Sequence, residues 1–489
     1  MTVIAGKVDH IDPDLGKAPT ILSLSEQLAT WYAALRYEEL PEDVIVNTRL
    51  RILDVVGLSI AGSQLEYGPI AQKAARSLGG SPEAHIIGYG DQIGAASAAM
   101  ANGLMAHCLE FDDTHNETLV HASVTSVTTA LAAGELVSKG GRDIVTAVAG
   151  ANEVACRLGG VTPGQLHING FHATGVIGTF SAAYLACRLL GLNAGLMRHA
   201  VGIAGSMTAG SLECWSDNTH AKALHPGWAA HSGITAAFLA RSGLTGPKNV
   251  FEGRWGFYRS HVQQSNYQYQ FERLTRSLGT EWESRNLSFK PFPVGHVSHP
   301  YISAILRLHK SGLRAGHVDR IVCKLNAHWI PIVAEPLHEK LKPETAWHGR
   351  VSLQYTLAEA LYTGRIDVRS YGAENLRNPE ILALASKVQC EVDPNAPGRE
   401  QFKGWVIVYT KDSRRLEEIE EYNRGSRQNP MSRDEIVGKF RANAEFLLPD
   451  DQTDQIIHAV ENIESLRSIR DLVALTINRD LAGTTASKG

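Results

Sequence analysis

Between His107 and Ser123 the chain reads HCLEFDDTHNETLVHAS, which places Glu110, Asp112, Asp113 and Glu117 among His107, His115 and His121. An imidazole exchanges protons near neutral pH, and a neighbouring carboxylate can orient it or hold its charge. The flanks are of a different kind. AASAAMANGLMA precedes the stretch and VTSVTTALAAGELV follows it, both rich in small apolar residues. Such flanks make helices that pack closely, and they cannot absorb this many ionisable groups without a pocket, a partner or water. The expectation is a wet, charged notch between two buried helices, a natural setting for proton transfer.

Three further segments carry charged or imidazole groups in apolar or glycine-rich surroundings. NGFHATG (169–175) sets His172 at the start of a helix, where free backbone N–H groups favour an anion and lower an imidazole pKa. In THAKALHPGWAAHSG (219–233), Lys222 and His225 share one face of a helical turn that Pro226 is expected to break. In FKPFPVGHVSHP (289–300), Pro291 and Pro293 stiffen a loop bearing Lys290, His296 and His299. Together these segments offer fixed positive charge opposite the acidic stretch. That combination suits a substrate with several carboxylates, whose aci-carboxylate (enediolate) form needs stabilising when an α-proton or CO₂ departs.

Taken singly, each feature also has a plainer reading. Asp112–Asp113–Thr114 reads as a capped helix terminus, and His172 or His225 as a hydrogen-bonded structural histidine. Lys222 and Lys290 read as solvated lysines, and Glu117 as a surface group. The histidine and acidic spacings match no HExxH or facial-triad pattern, so no metal is expected. No P-loop or GxGxxG fingerprint follows a strand, and no cofactor is expected.

The elements that must position these groups are mostly helical. Apolar spacing predicts helices through LSLSEQLATWYAAL and EDVIVNTRLRILDVVGLSIAGS, the latter starting after Pro41 and ending at Gly62 and Ser63. A short β-like piece, AHIIGYG (84–90), precedes the helix leading into the acidic stretch. Further small-residue helices follow as far as GWAAHSGITAAFLARSGL (227–244), as in a compact all-α bundle. The character changes near Arg285. VDRIVCKLN (318–326), KVQCEVD (387–393) and GWVIVYT (404–410) read as strands, and LQYTLAEALYTG (353–364) as a helix among them. Past NPMS (429–432) helical patterns return. The fold expected is mainly α: a large, discontinuous helical domain (20–285 and 416–480) and a smaller α+β domain (286–415).

At 489 residues the chain exceeds one typical core, in keeping with two domains. A net charge of −4 with no Lys/Arg block excludes nucleic acid and anionic membrane as natural partners. No apolar run is long enough for a membrane span, and six scattered cysteines without a CxxC pair fit reduced thiols in a cytoplasmic protein. The polar N-terminus, MTVIAGKVDHIDPDLGKAPT, reads as a loose arm unlike a targeting peptide, and the tail from Gly483 as frayed.

In combination, HCLEFDDTH…HAS, NGFHATGVIGTFSAA, AKALHPGWAAHSGITAAFLARSGLTGP, FEGRWGF, FKPFP…SH and NPMS resemble the MmgE/PrpD family of 2-methylcitrate dehydratases and cis-aconitate decarboxylases, which also includes an iminodisuccinate epimerase. The resemblance runs from about Leu24 to Leu475. It implies a helical domain with a smaller α+β lid, a homodimer, and an active site between the domains that takes a small polycarboxylate. It also implies a pocket containing Asp113, Thr114, His121, His172, Lys222, His225, Lys290 and His299. In the corresponding mechanism His121, oriented by Asp113, shuttles the proton, and Thr114 positions substrate or water. His172 bonds the aci-carboxylate, while Lys222, Lys290 and His225 hold carboxylates. Glu110 stands where the decarboxylase branch often has Asp, and His296 stands where a basic residue is common; with Asp112 these complete the substrate-binding set. Dehydration of the 2-methylcitrate type is the leading expectation. Decarboxylation, epimerisation and a catalytically inert binding protein of the same fold are the alternatives.

Overall fold

The computed structural model describes residues 22–478 apart from Asn218. The expected N-terminal arm and the tail from Gly483 lie outside them. Apolar burial falls into two clusters, one drawn from residues 28–287 and 437–473, the other from residues 294–408.

The larger cluster is mainly helix. Its longer members are α1 (Leu24–Ala34), α2 (Glu42–Ser63), α3 (Tyr67–Leu78), α4 (Ala95–His107), α5 (Ala122–Leu136), α6 (Gly141–Gly160), α7 (Ala173–Leu189), α8 (Ala194–Ala204) and α9 (Ala221–Arg241). Small residues set the spacing. A Cβ on Gly103 of α4 would lie 2.6 Å from the Gly227 Cα of α9, so these helices touch backbone to backbone. The AHIIGYG piece reduces to a two-residue strand, β1 (Ala84–His85), paired with β2 (Gln92–Ile93).

One expectation is corrected here. Pro226 does not break its turn; α9 runs unbroken from Ala221 to Arg241 with Pro226 inside it. Pro226 is the sixth residue of α9, past the first turn, so it removes the bond to the Lys222 carbonyl, and the close packing of α9 on α4 and α7 keeps the helix continuous. Lys222 and His225 consequently ride on a long helix clamped against α4 and α7.

The acidic stretch joins α4 to α5, with a two-residue strand, β3 (Thr114–His115), inside it. This strand pairs antiparallel with β4 (Leu287–Ser288), Thr114 opposite Ser288 and His115 opposite Leu287. The ladder ties the acidic turn to the backbone that enters the FKPFP loop, and Lys290 follows two residues later. Beyond the loop come α10 (His299–Lys310) and α11 (Leu353–Thr363), packed with a four-stranded sheet in the order β6–β5–β7–β8. Its strands are β5 (Val318–Leu325), β6 (Val388–Val392), β7 (Gly404–Thr410) and β8 (Arg415–Glu420). Only the β5–β6 pairing is parallel. The sheet thus runs past the boundary expected at 415. The charged sequence of β8, RLEEIE, lies at the sheet edge with alternate residues exposed, which hides the strand from an apolar pattern.

The chain then returns to the helical cluster through α12 (Arg433–Ala444) and α13 (Asp450–Glu461). Ser432 of NPMS is the N-cap of α12 and shares a capping box with Glu435. α12 lies on α2, where a Cβ on Gly57 would sit 2.7 Å from the Phe440 ring. Among the described residues no helix is long and apolar enough to cross a membrane, and all six cysteines are free.

Gly103→Ala should lower stability by about 1–3 kcal/mol, the range for overpacking a tight core. Urea denaturation checks this, and an unchanged midpoint would show that the two helices can part without loss.

Candidate active site

The turn after α4 carries its groups on a backbone that few residues adopt. Glu110 has φ +55° and Leu119 has φ +59°, both in the left-handed region without being glycine. Such conformations persist where the surroundings over-determine them. Around Glu110 the surroundings are cations. Lys222 of α9 forms an ion pair with the Glu110 carboxylate, and its ammonium is 3.2 Å from His107 Nε2. Lys290 donates to the Glu110 carbonyl at 3.0 Å and lies 3.9 Å from Glu110 Oε2. Arg350 Nη1 donates to the Cys108 carbonyl at 3.1 Å. Lys439 of α12 donates to the Phe111 carbonyl at 2.7 Å while pairing with Asp54.

These ions are buried, which sets their charge states. Burial raises the Glu110 carboxyl, yet Lys222 and Lys290 hold it well below the usual carboxylate range. Asp112 is likewise held low, against burial, chiefly by His107. Lys290 is lowered from the ordinary lysine value by burial, with Glu110 and Asp112 opposing. Burial also pushes Asp54 up to about 6, against the pull of Lys439.

His121 is the N-cap residue of α5. Its Nδ1 is 2.7 Å from the Asp113 carbonyl, 3.2 Å from Thr114 Oγ1 and 3.4 Å from Asp112 Oδ2. A carbonyl only accepts, so Nδ1 carries the hydrogen and Nε2 is the nitrogen left for proton exchange. Burial, aided by Lys290, keeps this imidazole well below its ordinary value. The expectation that the Asp113 side chain orients His121 is corrected. That carboxylate accepts from Arg51 Nη1 at 2.5 Å and from the Ser123 hydroxyl and backbone N–H. Orientation of His121 comes from the Asp113 carbonyl, with the Asp112 carboxylate nearby.

His172, as expected, stands at a helix start; it is the N-cap of α7. Its Nδ1 is 3.0 Å from His225 Nδ1, and its buried Nε2 has no hydrogen-bond partner. Burial, followed by Lys222, drives it well below the ordinary imidazole value.

A cavity of about 100 Å³ brings several of these groups together. Its polar wall includes Glu110, Thr114, His121, His172, Lys222 and Lys290, with His296 at the edge of the smaller cluster. Trp329, Ile332, Val333, Val351 and Phe402 supply an apolar wall from that smaller cluster. Four residues named from sequence stand behind the wall rather than in it. Asp112 and Asp113 are engaged as described, and His225 backs His172. His299 places Nε2 3.2 Å from the Val294 carbonyl, its ring against His296. Glu117, expected at the surface, is half-buried under two hydrogen bonds from Arg273.

The site also contains groups that sequence reading passed over. His107 lay inside the acidic stretch but has no neighbour in sequence that marks its role; its Nδ1 meets Asp112 at 2.9 Å. His167 and Trp215 line the cavity from short helical turns, and Arg51 and Lys439 reach the turn from α2 and α12. Trp329 and Phe402 belong to no motif, and only packing brings them together, at 5.6 Å between rings.

Nitrogens of His107, His121 and His172 lie within 4.8 Å of one another, a spacing that invites a metal. The donor set does not suit one. The His107 Nε2 that would face the metal instead meets the Lys222 ammonium at 3.2 Å, which occupies its lone pair and repels a cation from that side. What remains is a neutral imidazole pair beside two fixed positive charges.

The MmgE/PrpD N-terminal domain matches residues 26–270 and the MmgE/PrpD C-terminal domain residues 292–465. This chain belongs to the MmgE/PrpD family. It is 30% identical over 473 residues to cis-aconitate decarboxylase of Homo sapiens, covering 93% of this chain and 94% of that one. Cis-aconitate decarboxylase of Aspergillus terreus is 25% identical over 478 residues, covering 92% and 95%. The likeness to 2-methylcitrate dehydratase of Salmonella typhimurium (strain LT2) is 24% over 247 residues, 47% of this chain and 49% of that one. These relatives are lyases, and this MmgE/PrpD chain is an enzyme of lyase type.

The buried imidazoles predict acid lability. His167 and His225 are held at about 3, and His121, His172, His296 and His299 well below their ordinary value, in every case chiefly by burial. They stay neutral in the fold but protonate in the unfolded chain below about pH 6.5. Stability present above that pH is therefore lost as pH falls toward the folded values. Depressed Glu110 and Asp112 add a further loss below about pH 4. The thermal midpoint should drop steadily from pH 7 to pH 5, and a flat profile would contradict neutral burial.

Proposed function

We propose that this enzyme is a cofactor-independent lyase of a small di- or tricarboxylic acid, with decarboxylation of the cis-aconitate type as the leading reaction. The observation that carries the reading is the meeting of two buried ammonium groups, from α9 and from the FKPFP loop, on the wall of a cavity also lined by His121. In the unliganded site Glu110 engages both lysines, and substrate carboxylates compete for the same charges. The relatives alignable along nearly the whole chain are named as decarboxylases, whereas the dehydratases align over half of it. This favours decarboxylation over the dehydration expected from sequence. The family resemblance extends the proposal to a homodimer.

In the decarboxylation, Lys222 and Lys290 hold the carboxylates that remain. The bond to the leaving carboxylate breaks, CO₂ departs, and the electron pair passes into the conjugated double bond and carboxylate. There the lysines and His172 stabilise the aci-carboxylate. A carbon of that system then takes a proton from His121 Nε2. Dehydration, the second reading, uses the same nitrogen: His121 accepts the α-proton, or protonates the departing hydroxyl.

His121→Ala should cut turnover by ~10²–10⁴-fold with the fold intact, the usual cost of losing a positioned acid/base. The assay is NMR in D₂O with cis-aconitate, citrate, 2-methylcitrate and iminodisuccinate. CO₂ release with deuterium on carbon supports the leading reading, and water loss supports the second. No exchange with any of the four would overturn both readings.

A pH profile adds a separate check. Free His121 lies far below neutrality and must be charged to donate, so kcat/KM should fall as pH rises from 6 to 8. A rising profile would remove His121 as the acid.

A further inference from the structure

His296 lines the cavity but its own hydrogen bonding runs the other way. Its Nε2 is 2.9 Å from Asn423 Nδ2, and an amide nitrogen can only donate. Asn423 Oδ1 in turn accepts from Asn116 Nδ2 at 3.1 Å, and Asn116 Oδ1 accepts from the Ser288 hydroxyl at 2.9 Å. Ser288, Asn116, Asn423 and His296 are all buried, so each amide is committed within this row. The hydrogens point in one direction, from Ser288 to His296. The row ends on an imidazole whose Nδ1 is buried without a partner.

We propose that Asn423, fixed by Asn116, is a positioning residue that holds His296 as the neutral Nδ1–H tautomer and so makes it a hydrogen-bond donor to a substrate carboxylate. Nε2 must accept from the Asn423 amide, which leaves the hydrogen on Nδ1. A donor with nothing to donate to, in a cavity already furnished with Lys222 and Lys290, matches an anionic oxygen. The opposite tautomer would turn a lone pair toward the same anion. Burial, with His299 and Lys290 close by, disfavours a charged ring, so the donor is neutral. The row also crosses between the two apolar clusters: Asn116 lies beside β3, whereas Asn423 follows β8. The donor is therefore set only when the smaller cluster is seated against the acidic stretch. This role of His296 rests on the polycarboxylate reading above; its tautomer does not.

The test is ¹⁵N NMR of the histidine-labelled full-length protein without ligand, the His296 signals assigned by their loss in His296→Gln. Protonated Nδ1 and bare Nε2 are expected. A hydrogen on Nε2 in the wild type would overturn the proposal, whether or not any acid is turned over. Asn423→Asp replaces the donor by an acceptor and should move a hydrogen onto Nε2; an unchanged His296 spectrum in that folded variant would equally overturn it. Asn423→Leu, which removes both polar atoms at similar volume, serves if the aspartate variant does not fold, and should yield mixed tautomers. Where turnover is measurable, either variant should raise KM about tenfold or more while kcat changes less, as for a donor lost to bound substrate. Equal KM in wild type and variants would remove the role in substrate binding while the spectrum still reads the tautomer.

Discussion

Charge and unpaired carbonyl oxygen in the Cys108–Asp113 turn must be matched inside the protein, because water reaches almost none of it. Arg350 answers the Cys108 carbonyl, Lys222 and Lys290 answer Glu110, Lys439 answers Phe111, and Arg51 answers Asp113. A buried charge deprived of its partner is among the costliest defects a fold can hold. Each cation thus fixes the position of the element that bears it, and five separate stretches of chain are drawn to one turn. The cavity is the space left where two of those cations and four imidazoles meet the aromatic wall of the smaller cluster.

Much of this was readable in the residues themselves. Small-residue runs around Gly103 and Gly227 announce helices in backbone contact, and β-branched runs such as GWVIVYT announce strands with the right ends. The motif histidines and lysines could be picked out because ionisable groups in apolar surroundings are conspicuous. Their partners could not. Arg51 stands two residues after the part-exposed Arg49 of α2, with nothing local to set the two apart, and Lys439 lies in a helix of mixed charge. Nothing local distinguishes a buried cation from a solvated one.

The same limit explains the error over Asp113. Two adjacent aspartates before a threonine offer equal chances of facing a histidine, and only the strand pairing of Thr114 with Ser288 settles which way each turns. Pairing sends the Asp113 side chain toward Arg51 and Ser123 and leaves its carbonyl for His121. Pro226 teaches a related lesson, since the packing that carries α9 through the proline involves α4 and α7, far away in sequence.

The link between Lys439 and the turn carries a consequence for biosynthesis. Lys439 is 385 positions from Asp54 and 328 from Phe111, yet both depend on its ammonium. A nascent polypeptide emerging from the ribosome has α2 and the acidic turn long before α12. Until that last helix docks, an aspartate and a carbonyl in the heart of the molecule stay unmet. The turn beside the cavity is therefore completed late in translation, and a chain cut short before α12 would leave Asp54 and the Phe111 carbonyl without their cation.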